Sequence, residues 1–194
     1  MTARTSEQHR TTKETTIDLV LDVDGGGSAS ASTGIPFFDH MLEQLGKHGG
    51  FDLRIEAKGD LEVDTHHTVE DVGIVLGTAL KEALGDKAGV RRFASSLVPL
   101  DEALVQVALD LSGRPFLVYE VDPVAERIGT FDPQLAEEFW RAFAFGAGIT
   151  LHITSLAGKN GLHVIEASFK GVARALRDAV KIEGTSVPST KGTL

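Results

Sequence analysis

Apolar and polar residues alternate along two stretches of the chain, one in each half. Apolar side chains stand at every second position from Ile17 to Val23, and again from Ala103 to Leu111. Successive side chains of a β-strand point to opposite faces, so this spacing predicts two strands that each bury one face. The equal spacing in the two halves is the first sign that the chain is built twice on one plan.

Apolar residues at helical spacing define four further segments. The predicted helices are Phe37 to Lys47, Val72 to Leu84, Leu135 to Gly146 and Ser168 to Val180. Shorter apolar runs predict strands at Phe51 to Ala57, Leu61 to Asp64, Phe116 to Val121 and Ile149 to Ser155. The polar start, Thr2 to Lys13, is predicted to be mobile or to lie along a sheet edge.

A short motif also occurs twice. The segment Asp64 to Asp71 returns in weaker form ninety-six positions later as Asn160 to Ala167, and each copy leads into a helical segment. A repeated motif and a repeated order of elements indicate an internal duplication, and short turns between strands favour a largely antiparallel sheet. We therefore predict an α+β fold with two halves related by a pseudo-twofold axis and with sheets packed on helices. The predicted halves are residues 10–95 and 96–186, residues 187–194 form a tail, and residues 1–194 act as one functional unit.

Composition narrows the classes of function. Apolar residues make up 42% of the chain and charged residues 24%, which is ordinary for a globular protein. A formal net charge of −9 argues against a general binder of nucleic acid or anionic membranes. The absence of cysteine excludes disulfides, thiolate metal sites and a cysteine nucleophile. With no apolar leader or membrane span apparent, we expect a cytoplasmic location.

Histidine and glutamate recur at ligand spacing in both copies of the motif. The first copy carries His66, His67 and Glu70, and the second carries His163 and Glu166. On a helix this spacing puts a nitrogen and an oxygen ligand on one face, and a ligand set without sulfur suits Mn, Fe, Zn or Ni. Adjacent residues of a helix point about 100° apart, so His66 and His67 would reach different ions. The spacing predicts a dinuclear site made by both halves.

Two more histidines have ambiguous positions. His152 lies between apolar neighbours in a predicted strand, where either a polar face or a shared metal site would account for it. His40 lies on an otherwise apolar helix, and its surroundings alone do not decide its role.

Basic residues near turns predict an anion pocket. Lys170 lies one helical turn after Glu166, Arg114 occupies a turn between two strands, and Arg92 follows the turn at Gly89. The tail adds Ser189 and Lys191. In an acidic chain, this grouping of cations and hydroxyl groups near turns favours a phosphate or carboxylate ligand.

The same residues resemble a known family over essentially the whole chain, the imidazoleglycerol-phosphate dehydratases of histidine biosynthesis. The segments that carry the resemblance are Lys13 to Thr15, Gly34 to Leu42, Asp64 to Asp71, Leu100 to Ala103, Asp110 to Pro115, Gly158 to Asn160, Glu166 to Lys170 and Pro188 to Gly192.

This resemblance implies duplicated ferredoxin-like halves and homo-oligomeric shells of 24 subunits with two manganese ions at subunit contacts. The implied metal ligands are His40, His66, His67, Glu70, His152, His163 and Glu166. A sixth ligand histidine of the family falls at Leu162, which cannot bind a metal and leaves the second ion short of one nitrogen. Glu14 matches the catalytic acid/base, Gln44 a substrate-side position, and the implied phosphate-binding residues are Arg92, Arg114, Lys170, Ser189 and Lys191.

The implied reaction is the dehydration of D-erythro-imidazole glycerol phosphate to imidazole acetol phosphate. Metal ions at the two ring nitrogens would act as Lewis acids, and a carboxylate would move the carbon-bound proton. One metal site is predicted from His66, Glu70, His163 and His152, and the other from His40, His67 and Glu166. Because of Leu162, a second hypothesis is a catalytically weakened family member that still assembles and binds some metal. A third hypothesis is a metal-dependent hydrolase, which the spacing of the ligands alone would also fit.

Overall fold

Two four-stranded sheets form the outer layers of the protein, as described by a computed structural model for residues 3–122 and 127–194. The strands of the first sheet are β1 (Thr5–Thr11), β2 (Thr15–Asp22), β3 (Ala29–Ser32) and β4 (Asp52–Gly59), in the order β1-β2-β4-β3. Those of the second are β5 (Phe93–Leu100), β6 (Ala103–Asp110), β7 (Phe116–Glu120) and β8 (Thr150–Ala157), in the order β5-β6-β8-β7. In each sheet only the last pair is parallel. The predicted α+β fold with two equivalent halves is confirmed.

Four helices lie between the sheets. They are α1 (Pro36–Gly49), α2 (His66–Leu84), α3 (Leu135–Ala147) and α4 (Gly161–Ala179). Helix α2 packs on the first sheet and on α3, while α4 packs on the second sheet and on α1, so the halves meet through their helices. No helix in residues 3–122 and 127–194 is long and apolar enough to cross a membrane.

Local sequence explains where these helices begin and end. Pro36 starts α1, where its missing amide hydrogen costs nothing, and Gly50 ends it with a φ of 71°. The Asp64 carboxylate accepts the backbone amide of His66 at the start of α2, and the Asn160 side chain accepts that of Leu162 at the start of α4. All four predicted helices are confirmed, and α2 and α4 begin several residues earlier than the apolar spacing indicated.

The predicted strand at Leu61 to Asp64 is wrong. Residues 61–63 form a turn, and Val63 is 68% exposed. The strand before it, β4, is paired on one side with β2 and on the other with β3, so β4 has no free edge with which this segment could form a hairpin. Its alternating apolar residues therefore imitate a strand that has no partner.

Three strands were not predicted as such. The polar start was predicted to be mobile or to lie along a sheet edge, and it forms the edge strand β1 of the first sheet. Its first residue, Thr2, lies outside the described residues. Strand β3 consists of alanine and serine, which carry little strand signal. Strand β5 exposes Phe93 and Leu97 on one face and buries Val98 on the other, so its apolar residues do not alternate simply.

The pairing of the strands gathers the loops that matter for function. The turn between β1 and β2, the end of β4 and the start of α2 meet at one end of the first half, where the Asp60 amide donates to the Glu14 carbonyl. The equivalent loops of the second half meet in the same way, because backbone amides of the loop before α4 donate to a carboxylate in the β5–β6 turn. Strand β5 spans the predicted boundary at residue 95, and residues 85–92 connect the halves.

Candidate metal and anion sites

The first site lies at the N-terminus of α2. His66 and Glu70 are one turn apart, and His66 Nε2 lies 3.8 Å from Glu70 Oε2. Both side chains are nearly half exposed. An imidazole nitrogen and a carboxylate oxygen at this separation, open to the surface, are suited to share an ion rather than to hold each other.

The ring of His67, the next residue, is held by a carboxylate at its Nδ1 side. Its Nδ1 lies 3.1 and 3.2 Å from the two carboxylate oxygens of Asp60 and 3.9 Å from Glu14 Oε2. The hydrogen bond to Asp60, with the nearby charges of Glu14 and Glu70, raises the pKa of His67 above 6.5. Because Nδ1 is engaged, Nε2 is the nitrogen that the ring offers to a ligand.

The N-terminus of α4 repeats this arrangement with a different carboxylate. His163 Nδ1 lies 2.8 Å from Glu102 Oε2, and the other oxygen of Glu102 accepts the backbone amides of Lys159 and Asn160. The bond from His163 and the two amides lower the pKa of Glu102 to about 2, and the same bond raises the pKa of His163. Ionisation of either partner is therefore favoured by the hydrogen bond to the other.

A polar row runs along α1 toward α4. Gln44 stands between two histidines: its Nε2 is 3.5 Å from His40 Nε2, and its Oε1 is 2.9 Å from His48 Nε2. On α4, Lys170 Nζ lies 2.6 Å from Glu166 Oε1. Burial, followed by the charge of Lys170, lowers the pKa of His48, which shows that the two rows face each other.

His152 lies apart from these groups. It is exposed on the outer face of the second sheet, between Ala108 of β6 and Val118 of β7. This face points away from the helices, so within one chain His152 does not join the residues at the helix N-termini.

Cations gather around Asp110 at the end of β6. Arg92 grips the carboxylate with two nitrogens, at 2.7 and 3.1 Å, and Arg114 Nη2 lies 3.8 Å away. Arg92 also donates to the Pro188 carbonyl at 2.7 Å, which ties down the tail next to Ser189. With the buried Lys87, three cationic side chains lie near the single carboxylate of Asp110. The cluster therefore carries a net positive charge.

Lys87 is the buried member of this cluster. Its Nζ donates to the Leu111 carbonyl at 3.1 Å, and burial lowers its pKa. The predicted phosphate residues Arg92, Arg114 and the tail are thus brought together. Lys170 is not with them: it lies nine residues before Ala179, whose carbonyl accepts the Arg92 amide, a separation of about 13 Å along α4.

The described residues of one chain do not complete a metal site. Within residues 3–122 and 127–194, no three histidine, aspartate or glutamate side chains are arranged to hold one ion. The predicted ligands are instead dispersed over several elements: His66, His67 and Glu70 lie at the start of α2, His163 and Glu166 in the first turns of α4, His40 on α1, and His152 on the outer face of the second sheet. The grouping of His66, Glu70, His163 and His152 into one site stays a prediction.

Sequence reasoning missed the residues that hold the others. Asp60, Glu102, Asp110 and Lys87 received no role, because none stands at ligand spacing from a histidine. A signal for Glu102 was available, since Glu14 and Glu102 each come directly before the first residue of a strand with the same alternation of buried and open positions. For Lys87 the sequence carries no comparable signal.

Comparison with known proteins gives a consistent result. Residues 33–176 match the family model described as imidazoleglycerol-phosphate dehydratase. A protein of that name from Parafrankia sp. (strain EAN1pec) is 57% identical over 99% of this chain and 100% of its own length. One from Acidothermus cellulolyticus is 57% identical over 98% of this chain and 93% of its own length.

Solved structures agree with the fold. The crystal structure of imidazoleglycerol-phosphate dehydratase from Staphylococcus aureus superposes with a TM-score of 0.82 at 38% identity, covering 92% of this chain and 99% of that one. The structure of IGPD from Pyrococcus furiosus in complex with (S)-C348 gives 0.84 at 39% identity, covering 96% and 100%.

Asp60→Asn is expected to lower the pKa of His67 toward 6.5 in the metal-free protein, because the largest cause of its upward shift is removed. A raised folded-state pKa contributes stability that is fully present below 6.5 and is lost as pH rises through the folded value. The loss in melting temperature should therefore be larger at about pH 5.5 than at about pH 9. NMR titration of His67 and thermal melts measure both effects. Glu62→Gln, in the same loop, is the control, and a His67 pKa unchanged by Asp60→Asn would contradict the assignment.

Proposed function

The chain belongs to the imidazoleglycerol-phosphate dehydratase family, and from that premise we propose that it performs the family's dehydration with metal ions held by its own histidines and carboxylates. The observation that carries the proposal is the pair of histidines, His67 and His163, at equivalent helix starts. Each has its Nδ1 engaged by a carboxylate, and the Nε2 of His163 has only the weaker neighbours Asn160 Nδ2 at 3.4 Å and Asp101 Oδ2 at 3.7 Å. Metal-ligating histidines are held in this way in proteins generally. The substrate is D-erythro-imidazole glycerol phosphate, and the activity belongs to histidine biosynthesis in the cytoplasm.

The donor set suits manganese. The residues that would hold two ions are His40, His66, His67, Glu70, His152, His163 and Glu166, all nitrogen or oxygen ligands. When bound, such ions supply Lewis-acid polarisation of the substrate's imidazole ring. Of these residues, His66 and Glu70 are open to the surface. Glu166 forms an ion pair with Lys170, which a metal ion would have to replace in order to bind the Glu166 carboxylate.

Glu14 is the group that would move protons. It stands in the turn before β2, more than half exposed, and its carboxylate is 3.9 Å from His67 Nδ1, too far for a hydrogen bond. A carboxylate with no strong partner beside a ligand histidine is free to accept the carbon-bound proton and to deliver one to the departing hydroxyl.

The remaining charged residues orient the substrate. Arg92 and Arg114, together with Ser189 and Lys191 of the tail, would bind the phosphate, since the cluster around Asp110 has more positive than negative charge. Gln44, on the surface of α1 that faces α4, would contact the substrate, and Lys170 on α4 stays a predicted phosphate-binding residue. Holding both ends of the substrate fixes the reacting carbons relative to Glu14.

Assembly completes the site in this proposal. The outer face of the second sheet exposes Phe93, Leu97, Phe116 and Leu156, each more than 50% exposed, and His152 lies among them. The outer face of the first sheet is instead charged, with Asp18, Arg54 and Glu56. An apolar patch of this kind is typical of a protein interface, and a second copy docked there would receive His152 as a ligand. We propose a homo-oligomer of 24 subunits in line with the family resemblance.

Glu14→Gln is expected to reduce kcat by about 10²–10⁴-fold, the range for loss of a general acid or base, with a much smaller change in KM. Turnover of imidazoleglycerol phosphate by the purified, manganese-loaded protein measures it, and that assay also tests the proposed function in the parent chain. Glu7→Gln, which removes an exposed carboxylate from neighbouring β1, should leave turnover unchanged. The role of Glu14 is wrong if the variant keeps most of the parent's kcat.

Removal of metal is expected to reduce the particle size, because ligands from different subunits are drawn together only while an ion is bound. Light scattering or gel filtration before and after exhaustive chelation measures the change, and added Mn²⁺ should reverse it. His9→Ala, on the charged outer face, is a control that should assemble normally, whereas His152→Ala should not. A particle of unchanged mass after complete metal removal contradicts the link.

A second candidate function rests on Leu162. It is the second residue of α4, half-buried, where the repeat places the counterpart of His66. A second metal site with only His40, His67 and Glu166 lacks one nitrogen, which favours a weakened enzyme that still folds and assembles. The opposite outcome, in which His48 or a water fills the gap, predicts normal activity.

Leu162→His separates these outcomes. We expect tighter Mn²⁺ binding at one site, by more than the ~10–100-fold typical of a changed supporting contact, together with faster turnover. Metal titration and steady-state kinetics measure them, and Leu162→Ala controls for the loss of the leucine side chain. If the histidine variant matches the parent in both affinity and rate, the second site is not impaired.

A further inference from the structure

Two histidines at equivalent positions of the repeat are held alike. His67 near the start of α2 and His163 near the start of α4 are ninety-six residues apart, as are Glu70 and Glu166. Each has Nδ1 within hydrogen-bond distance of a carboxylate, at 3.1 Å from Asp60 and 2.8 Å from Glu102. His66 and His40 have no such carboxylate at Nδ1 among the described contacts. His9 Nδ1 also lies 2.6 Å from the Asp18 carboxylate, so among the predicted ligand histidines the described residues show this contact only for His67 and His163.

The two carboxylates come from different parts of the repeat. Asp60 belongs to the loop between β4 and α2, whereas Glu102 belongs to the turn between β5 and β6. The repeat counterpart of Glu102 is Glu14, since each directly precedes the first residue of a matching strand, Thr15 or Ala103. The same place in the two halves thus holds two carboxylates with different surroundings.

Loop length explains the exchange. Residues 60–65 connect β4 to α2, and Asp60 is the first of them. In the second half only Gly158, Lys159 and Asn160 connect β8 to α4, and none of the three carries a carboxylate. Glu102 fills that place from across the turn: one oxygen accepts the amides of Lys159 and Asn160, at 3.1 and 2.8 Å, and the other faces His163.

Glu14 is left without this duty. Its carboxylate stays 3.9 Å from His67 Nδ1 and is 54% exposed, against 39% for Glu102. Asp60 already occupies the Nδ1 side of His67, so a second strong acceptor is not needed there. Glu102 is thus held by hydrogen bonds, whereas its repeat counterpart Glu14 makes no comparable hydrogen bond among the described residues.

We propose that Glu102 is a positioning residue that holds His163 with the proton on Nδ1 and with Nε2 presented to a metal ion, as Asp60 does for His67, and that this division leaves Glu14 free for proton transfer. The inference rests on the proposed metal-dependent function. Glu102 acts through His163 and contacts neither substrate nor ion. Loss of such a supporting carboxylate weakens metal binding by about 10–100-fold.

The binding test compares Mn²⁺ affinity in the parent, Glu102→Gln and Glu14→Gln, with free Mn²⁺ counted by electron paramagnetic resonance. Glutamine keeps the size of the side chain and can still accept the loop amides. Glu102→Gln should weaken one class of sites by about 10–100-fold, while Glu14→Gln, the same change at the repeat counterpart, should keep every affinity within about two-fold. Equal affinities in the parent and Glu102→Gln overturn the inference. A parent that binds no Mn²⁺ overturns the metal-dependent function and this inference with it.

Two further measurements keep the result tied to His163. In a His163→Ala background, adding Glu102→Gln should cause no further loss of Mn²⁺ affinity. If the loss is as large as in the parent background, Glu102 acts through the loop alone and the proposal is overturned. Imidazole nitrogen NMR of the metal-free parent needs no variant. We expect the neutral His163 ring to carry its proton on Nδ1, and a ring protonated on Nε2 instead overturns the proposal.

Discussion

The packing of α2 on α3 holds the two halves of the molecule in register. Glycines at Gly73 and Gly77 let α2 approach α3 so closely that an added methyl group would collide with the backbone near Phe139 and Phe143. Because α2 belongs to the first sheet and α3 to the second, this contact and the matching one between α1 and α4 join the halves. The starts of α2 and α4, which carry His66, His67 and His163, are fixed by this packed layer rather than by their own loops.

On that rigid layer, the polar residues fall into two kinds. Some have every strong contact made within the chain, as Glu102 does with His163 and two loop amides, or Arg92 with Asp110 and the tail. Others are left open, as His66, Glu70, Glu14 and His152 are. The first kind sets the orientation of a site, and the second kind is what an ion, a substrate or another subunit would engage. Because the open ligands lie on different surfaces, assembly is the simplest way to bring them together.

The chain as a whole is acidic, yet the anion site is positive. Asp110 alone faces Arg92, Arg114 and the buried Lys87, while most carboxylates lie elsewhere on the surface. Local geometry therefore matters more than net charge at this site, since exposed charges more than about 8–10 Å apart are largely screened at physiological ionic strength. A chain of formal net charge −9 thus carries a local cluster in which cations outnumber the one carboxylate.

The sequence by itself determined the duplication, all four helices and the main strands, because these depend on local periodicity and on spacing along the chain; the metal-ligand roles of the histidines stay a prediction. It did not determine β3 and β5, and it made a strand of Leu61 to Asp64, because pairing depends on which sheet edges are free. The anchoring roles of Asp60 and Glu102 were decided only by the tertiary structure, since each lies in a loop or turn outside the helix whose histidine it holds. The same holds for His152, whose place on an outer sheet face follows from strand register and separates it from the other ligands within one chain.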